Sequence, residues 1–219
     1  MLRFEPRLDA LPPAQRRLWR ELSEVPDHFV LYGGTAIALQ VGHRRSLDFD
    51  LFGTQDFDPD DLLRSLGCLE GAEILQREAG TLTCLLDRGD PVQVSFFAVP
   101  KLRHVESALL AADINLKVAS LIDLAGTKAS VIQKRAEVRD YIDMAALISH
   151  GIGLEMALAS ALAIYGPQFN PQITLKALSY YGDGDLATLP LALQHQLQDA
   201  ARDVDLDALP RVEAREWKP

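Results

Sequence analysis

The sequence is poor in cysteine and has few basic side chains for its content of acidic ones. Its 219 residues include only two cysteines. Cys68 and Cys84 lack a CxxC spacing and a nearby histidine pair, so neither a disulfide framework nor a structural zinc site is indicated. Lys and Arg total 22 against 31 Asp and Glu, which gives a net charge of −9. Such a charge provides no general attraction for nucleic acid or anionic lipid, so any site for a polyanion must be local.

Long apolar runs, repeats and low-complexity segments are also missing. The first residues lack the apolar core of a signal peptide, and no stretch offers the ~20 uncharged apolar residues of a membrane span. The most apolar region, from Met144 to Gly166, is interrupted by His150 and Glu155. The apolar fraction of 48% and charged fraction of 24% are typical of a globular protein with a core, which excludes a disordered chain. We expect a cytoplasmic protein with no membrane partner.

The residues that are present divide the chain into two halves. Residues 1–110 combine a helix after Pro12-Pro13, a buried strand at 29–32, an alternating strand at 47–52, a helix opened by Asp58-Pro59, and extended segments at roughly 72–78, 81–87 and 91–99. Residues 111–219 change to helical periodicity from about residue 120. The pattern predicts an α+β fold, with a small mixed sheet and flanking helices, followed by a helical C-terminal half.

A Gly-Gly-Thr turn follows the strand at 29–32. Gly33 and Gly34 leave their main-chain N–H groups unhindered, and Thr35 is expected to cap the helix over 36–41. A helix N-terminus with exposed amides can cradle a phosphate. A tight turn without a ligand is the alternative interpretation.

Two carboxylates follow in the next strand. Asp48 and Asp50 flank Phe49, so both side chains should project from one face while Leu47, Phe49 and Leu51 face the core. Two carboxylates at this spacing can hold one or two Mg²⁺ ions. A solvated acid pair at a sheet edge is the alternative.

Between the turn and the acids lies the basic loop Gly42-His43-Arg44-Arg45-Ser46. An arginine pair can bind triphosphate oxygens with two-pronged hydrogen bonds, so Arg44 and Arg45 are candidate nucleotide contacts. An exposed basic loop is the alternative.

Taken together, residues 31–52, LYGGTAIALQVGHRRSLDFDLF, resemble the first motif of the polymerase β-like nucleotidyltransferase superfamily. More narrowly they resemble the AbiEii/AbiGii family of abortive-infection and type IV toxin–antitoxin nucleotidyltransferases. The resemblance continues downstream, where Asp123-Leu-Ala-Gly-Thr-Lys128 and Arg139-Asp140-Tyr141-Ile142-Asp143 are similar to the family's later motifs. It implies the nucleotidyltransferase fold and places Lys128 and Asp140 in the active site. Without the resemblance these two residues would be interpreted as surface helix charges.

The sequence departs from the family pattern at two places. The superfamily usually has a third carboxylate on a neighbouring strand, and the matching segment, Val92 to Phe97, has Ser95 where that acid would be. Either Lys134 or Arg135 matches the basic residue that follows Lys128.

The resemblance implies an enzyme that uses Mg²⁺ or Mn²⁺ to move a nucleoside monophosphate from an NTP to a hydroxyl acceptor. Asp48 and Asp50 would hold the metal ion, Gly33, Gly34, Thr35, Arg44 and Arg45 would bind the nucleotide, and Asp140 would activate or orient the acceptor. The acceptor would be a tRNA end or a protein side chain, and a cognate antitoxin would be a partner. The alternative is a non-catalytic nucleotide- or partner-binding module of the same fold. An Asp-x-Asp phosphatase is disfavoured by Leu51, and a glycosyltransferase would leave the other motifs unexplained.

Overall fold

A computed structural model of the chain describes residues 1–217. The helices and strands follow one another from the first residues to the last. In chain order they are β1 (Arg3–Phe4), α1 (Pro13–Glu21), β2 (Phe29–Tyr32), α2 (Gly33–Val41), β3 (Phe49–Gly53), α3 (Pro59–Ser65), β4 (Glu73–Glu78), β5 (Thr81–Asp87), β6 (Pro91–Ala98), β7 (Arg103–His104), β8 (Leu109–Ala111), β9 (Lys117–Val118), α4 (Leu121–Ile132), α5 (Val138–Ser149), α6 (Leu154–Tyr165), α7 (Pro171–Ala177), α8 (Leu191–Asp203) and β10 (Arg215–Glu216).

The chain forms two compact units. The sheet unit contains Met1–Leu102 and Ser107–Ala119, with Glu216 and Trp217, and the helical unit contains Arg103–Glu106 and Ser120–Arg215. The residues from 107 to 119, around the division expected from the sequence, belong to the sheet unit because β8 pairs with β1 and β9 pairs with β2.

The sheet unit is built on one mixed sheet of eight strands in the order β1-β8-β9-β2-β3-β6-β5-β4. The pairs β1/β8, β2/β9 and β3/β6 are parallel, and the pairs β2/β3, β5/β6, β4/β5 and β8/β9 are antiparallel. Helices flank the sheet. The predicted fold class is therefore confirmed.

Local signals in the sequence account for several element ends. Asp58 caps α3, its carboxylate accepting a hydrogen bond from the Asp60 N–H at 2.8 Å, and Pro59 occupies the first helical position. Asn170 caps α7 in the same way. β5 and β6 form a hairpin, in whose turn Gly89 donates its N–H to the Asp87 carboxylate.

Aromatic and aliphatic side chains form the core of the sheet unit. α1 buries Leu18 and Trp19, and the Trp19 ring stacks on Phe49 of β3 at a centroid distance of 6.2 Å. Phe29 packs edge-on against Phe96 at 5.2 Å. This packing fixes β3, so the residues that alternate with Phe49 lie on the opposite face of the sheet.

In the helical unit, α4 and α6 approach each other closely. A Cβ atom at Gly126 would lie 2.5 Å from Ser160 Oγ and 3.0 Å from the main-chain nitrogen of Ala161. Glycine is therefore the residue that allows this approach. Ser160 is itself fully buried.

No single helix within residues 1–217 has the length and apolar character needed to cross a membrane. The segments Val138–Ser149 and Leu154–Gln168 meet that test only as a pair, and they are bent by 114° at their break.

Candidate functional site

The turn between β2 and α2 brings a helix N-terminus next to a carboxylate. Gly33 has φ +75°, a left-handed conformation that favours glycine. A Cβ at this position would lie 2.7 Å from Asp50 Oδ2. The Asp50 carboxylate thus lies against the first residue of α2, where the helix dipole and the unsatisfied N–H groups favour negative charge.

Asp48 and Asp50 occupy different structural positions. Asp50 lies in β3, whereas Asp48 is the residue immediately before that strand. Both side chains are partly exposed. The expectation that Leu47 faces the core is wrong: its side chain is 55% exposed, because the alternation of the strand begins only at Phe49.

Thr35 links α2 to the segment before β3. It does not cap the helix as expected, since α2 already begins at Gly33 and has no side-chain cap. The buried Thr35 hydroxyl instead donates to the main-chain carbonyl of Asp48 and hydrogen bonds with Ser46 Oγ at 2.7 Å. These bonds hold Asp48 beside α2. Because they occupy the Thr35 hydroxyl, the group of Thr35 that remains for an anion is its main-chain N–H.

The neighbouring strand carries a hydroxyl next to Asp50. Ser95 of β6 is the register partner of Asp50 across the parallel pair, and it is 2% exposed. Its Oγ lies 3.4 Å from Thr83 Oγ1 and 3.4 Å from Gln93 Nε2. Within residues 1–217, no three His, Cys, Asp or Glu side chains come together as a metal-ligand group.

The basic loop divides between two environments. Arg44 is partly buried, and its Nη1 donates to the Arg45 carbonyl at 3.0 Å and lies 3.5 Å from Ser46 Oγ. Arg45 is exposed and lines a groove of about 320 Å³. We call this the arginine groove; its lining residues are Asp9, Leu11, Pro12, Pro13, Arg16, Arg17, Arg20 and Arg45.

A buried charge cluster lies in the helical unit. Lys128 Nζ on α4 is 2.6 Å from Asp140 Oδ1 and 2.6 Å from Asp143 Oδ2, both on α5. Arg135 Nε lies 2.7 Å from Asp140 Oδ2, so Arg135 rather than Lys134 contacts this acid. The side chains of both aspartates are 0% exposed and that of Lys128 is 7% exposed. Sequence reasoning did not assign Asp143 or Arg135 to the site, although the i, i+3 spacing of Asp140 and Asp143 indicated a shared helix face.

The cluster perturbs the ionisation of Asp140. Burial alone would raise the pKa of its carboxyl group, but the hydrogen bond from Arg135 and the charge of Lys128 outweigh that effect and hold the pKa below its usual value. The carboxylate is therefore ionised, and both of its oxygens have partners within the helical unit.

This lowered pKa predicts a pH dependence of stability. Because the folded-state pKa lies below the unfolded value of about 3.9, the contribution of Asp140 is complete above about pH 5 and is lost as the pH falls through the folded-state pKa. We expect the difference in unfolding free energy between the wild type and Asp140→Asn to be constant from neutral pH to about pH 5 and to shrink at lower pH. Urea denaturation of both proteins at each pH measures it. A difference that persists unchanged through the acid range would contradict the prediction.

The sheet and the site of the sheet unit define the class of protein. A mixed sheet with a Gly-Gly turn, a helix N-terminus and an Asp-x-Asp strand has the organisation of a nucleotidyltransferase. Residues 16–218 match the family model described as "Nucleotidyl transferase AbiEii toxin, Type IV TA system". The chain belongs to this family, and it is a nucleotidyltransferase toxin.

Comparisons with individual proteins agree with this assignment. An uncharacterized protein of Aquifex aeolicus, aq_aa25, is 31% identical over 160 residues, covering 71% of this chain and 74% of that protein. Two solved structures share the fold. MenT4, a nucleotidyltransferase toxin from Mycobacterium tuberculosis, has a TM-score of 0.62 and 15% identity over 89% of this chain and 83% of its own. A candidate nucleotidyltransferase from H. pylori has a TM-score of 0.55 and 15% identity over 86% of this chain and 90% of its own.

Proposed function

We propose that this toxin transfers a nucleoside monophosphate from an NTP to a hydroxyl acceptor, with a divalent cation, in the cytoplasm. The observation that carries the proposal is the contact between the Asp50 carboxylate and Gly33 at the start of α2. A cation ligand and a helix N-terminus that can hold phosphate oxygens meet at one turn, which is what binding of a metal–nucleotide complex requires.

The residues of the sheet unit fit a magnesium ion. Mg²⁺ is commonly held by one or two carboxylates together with substrate phosphates, so the pair Asp48 and Asp50 is a sufficient protein contribution. The missing side chain at Gly33 leaves room for the Asp50 carboxylate against the first residue of α2, since a Cβ there would lie 2.7 Å from Asp50 Oδ2. When bound, the ion would neutralise charge on the phosphates and polarise the phosphoryl oxygens.

The other groups of the sheet unit would bind and orient the nucleotide. The main-chain N–H groups of Gly34 and Thr35 face the end of the helix where an anion is favoured, and Arg44 supplies a guanidinium beside Ser46. The acceptor hydroxyl would attack the α-phosphorus and form a new P–O bond, while the bond to pyrophosphate breaks. Arg45 is left out of this set because it lines the arginine groove.

We propose different roles for the two partners of the buried cluster. For Lys128 we keep only the role that the family resemblance implies, a positive charge used in catalysis. The sequence-based hypothesis gave Asp140 the task of activating the acceptor, but its fully buried carboxylate is held by Lys128 and Arg135. We therefore assign Asp140 a positioning role: together with Asp143, it fixes the direction of the Lys128 ammonium group.

The experiment is incubation of the purified protein with each α-labelled NTP, Mg²⁺, and either total RNA or protein from a cell lysate. We expect label to pass into one of the two pools from one preferred NTP, and chelation of the metal to stop it. Label in RNA or in protein identifies the acceptor class. Nucleotide binding without label in either pool would contradict the proposal and favour the non-catalytic alternative, which the serine beside Asp50 supports.

An antitoxin partner is also proposed, on the family membership alone. Family members belong to type IV toxin–antitoxin systems. Expression of the chain alone should therefore slow growth of its host, and growth should recover with Asp50→Asn.

A further inference from the structure

The arginine groove concentrates positive charge on an acidic protein. Residues 1–45 contain seven arginines and five acidic side chains, a net charge of +2, whereas the rest of the chain has a net charge of −11. Four of the seven arginines line this one groove, with Asp9 as its only acidic lining residue. The net charge of −9 gives the whole chain no attraction for polyanions, but this groove is a local site where positive charge predominates.

The four guanidinium groups are available to a ligand. Arg16, Arg17, Arg20 and Arg45 are all exposed, and within residues 1–217 none of them forms an ion pair. The surrounding acids are therefore not neutralising them through direct contact.

Two of the arginines are already held by the main chain. Arg16 donates from Nε to the Leu8 carbonyl at 3.0 Å, and Arg17 donates from Nη1 to the Arg88 carbonyl at 2.6 Å. A guanidinium held in this way keeps N–H groups for a ligand and loses less conformational entropy on binding. Arg16 and Arg20 are one helical turn apart on α1, about 6 Å along the axis, so they can contact successive anionic groups.

The groove adjoins the Asp48 and Asp50 site through a braced segment. Ser46 donates its N–H to the Ala10 carbonyl at 3.1 Å, and the Gln15 amide donates to the Leu47 carbonyl at 3.2 Å. Ala10 and Gln15, which are neighbours in sequence of the groove residues, therefore hold the segment that leads into β3. Three residues span at most about 11 Å, so Arg45 lies within that distance of Asp48, Cα to Cα.

We propose that the arginine groove binds the phosphodiester backbone of the nucleic-acid strand that carries the acceptor hydroxyl. The strand would lie along α1, with its end passing Arg45 toward Asp48. Arginine suits phosphate because its planar fork can bind two oxygens at once, and four arginines along a groove match a chain of regularly spaced anions. An acidic protein partner is the competing ligand. Pro12 and Pro13 also line the groove and add accessible apolar surface against which sugars and bases can pack, which favours the nucleic acid.

The assignment of this strand as the acceptor rests on the transfer reaction proposed above, whereas the binding itself does not. The two can therefore fail separately. Binding is measured without NTP or metal by fluorescence anisotropy, using a labelled oligoribonucleotide and the matching oligodeoxynucleotide, each single-stranded and as a duplex, across a series of salt concentrations. Polyglutamate serves as the acidic-protein probe.

We expect log Kobs for at least one of the nucleic acids to fall linearly with log salt concentration. Arg20→Ala and Arg45→Ala should each reduce the magnitude of that slope by about 0.7 to 0.9, the value for one phosphate contact, and the double variant by about twice as much. Arg64→Ala is the matched control, since it removes one exposed arginine of α3 that pairs with Asp61 outside the groove. It should leave the slope unchanged.

Four results distinguish the proposals. Asp50→Asn should retain full nucleic-acid binding while losing transfer, which would support the groove independently of the chemistry. Unchanged slopes in both groove variants would overturn the groove proposal, and so would polyglutamate binding that is as tight and as sensitive to Arg20→Ala as nucleic-acid binding. If the wild type binds the strand but shows no transfer, only the proposed function would be contradicted.

Discussion

Replacement of Asp50 by asparagine is expected to abolish Mg²⁺-dependent transfer and to leave the protein folded. The change keeps the shape of the side chain, so its fit against Gly33 is preserved. It removes one of the two carboxylates that can hold the cation, and an amide oxygen without charge is a poor substitute for a hard divalent ion. Transfer from the preferred α-labelled NTP measures the effect.

The expected effect on folding is small because two contributions oppose each other. Loss of the charge at the helix N-terminus costs about 0.3 to 1 kcal/mol, whereas relief of repulsion between Asp48 and Asp50 acts in the other direction. Asp61→Asn, an exposed acid of α3, is the control for a change of one charge. Normal transfer by Asp50→Asn would refute the cation site. An unfolded variant would instead show that the carboxylate is needed for the structure of the turn.

The second large effect is expected at the buried cluster. Asp140→Asn should lower the free energy of unfolding by about 3 kcal/mol, near the low end for breaking a buried ion pair, because Asp143 remains on Lys128. Lys128→Met should be at least as destabilising, since it leaves two buried carboxylates with Arg135 as the remaining cation of the cluster. The double variant Asp140→Asn/Lys128→Met should lower the free energy of unfolding by less than the sum of the two single changes, because the two side chains interact directly. Urea denaturation at neutral pH measures all three.

The positioning role of Asp140 predicts a separate effect on the reaction. At a temperature where the variant is folded, Asp140→Asn should slow transfer by about 100-fold. The reason is that the ammonium group of Lys128 keeps its ion pair with Asp143 but loses the one with Asp140, so its position is less fixed. Thr174→Val is the matched structural control: it removes the buried hydrogen bond to the Ala129 carbonyl in the same unit without touching Lys128. Equal transfer rates in Asp140→Asn and Thr174→Val would contradict the positioning role and leave a structural one.

Sequence reasoning succeeded where the signal is local. Asp58 with Pro59 marks a helix start through the geometry of its own few residues, and the cap forms. The extended segments of β5 and β6 were predicted because apolar and β-branched residues predominate in them.

The failures have physical reasons. Thr35 is a good cap residue by type, but the left-handed Gly33 allows α2 to begin three residues earlier, and the Thr35 hydroxyl bonds to the Asp48 carbonyl instead. The short strands β1, β8 and β9 were not predicted, since two or three residues carry no periodicity and their pairing is non-local.

The candidate site was only partly predictable for the same reason. Asp48, Asp50 and the Gly-Gly turn are neighbours in sequence, whereas the arginine groove depends on α1 and the loop at Arg45, which are far apart in the chain. No spacing rule relates Arg20 to Arg45. Their common lining of one groove follows from the packing of the sheet unit.

The close approach of α4 and α6 gives Gly126 an influence on the buried charge cluster, although Gly126 carries no charge itself. Gly126 lies two residues before Lys128 on α4. A Cβ atom at Gly126 would lie 2.5 Å from Ser160 Oγ of α6. A methyl group added there would act as a spacer that pushes α4 outward and carries the lysine with it. Residue size at this helix crossing therefore affects where Lys128 lies relative to Asp140 and Asp143, without a change in any charged group.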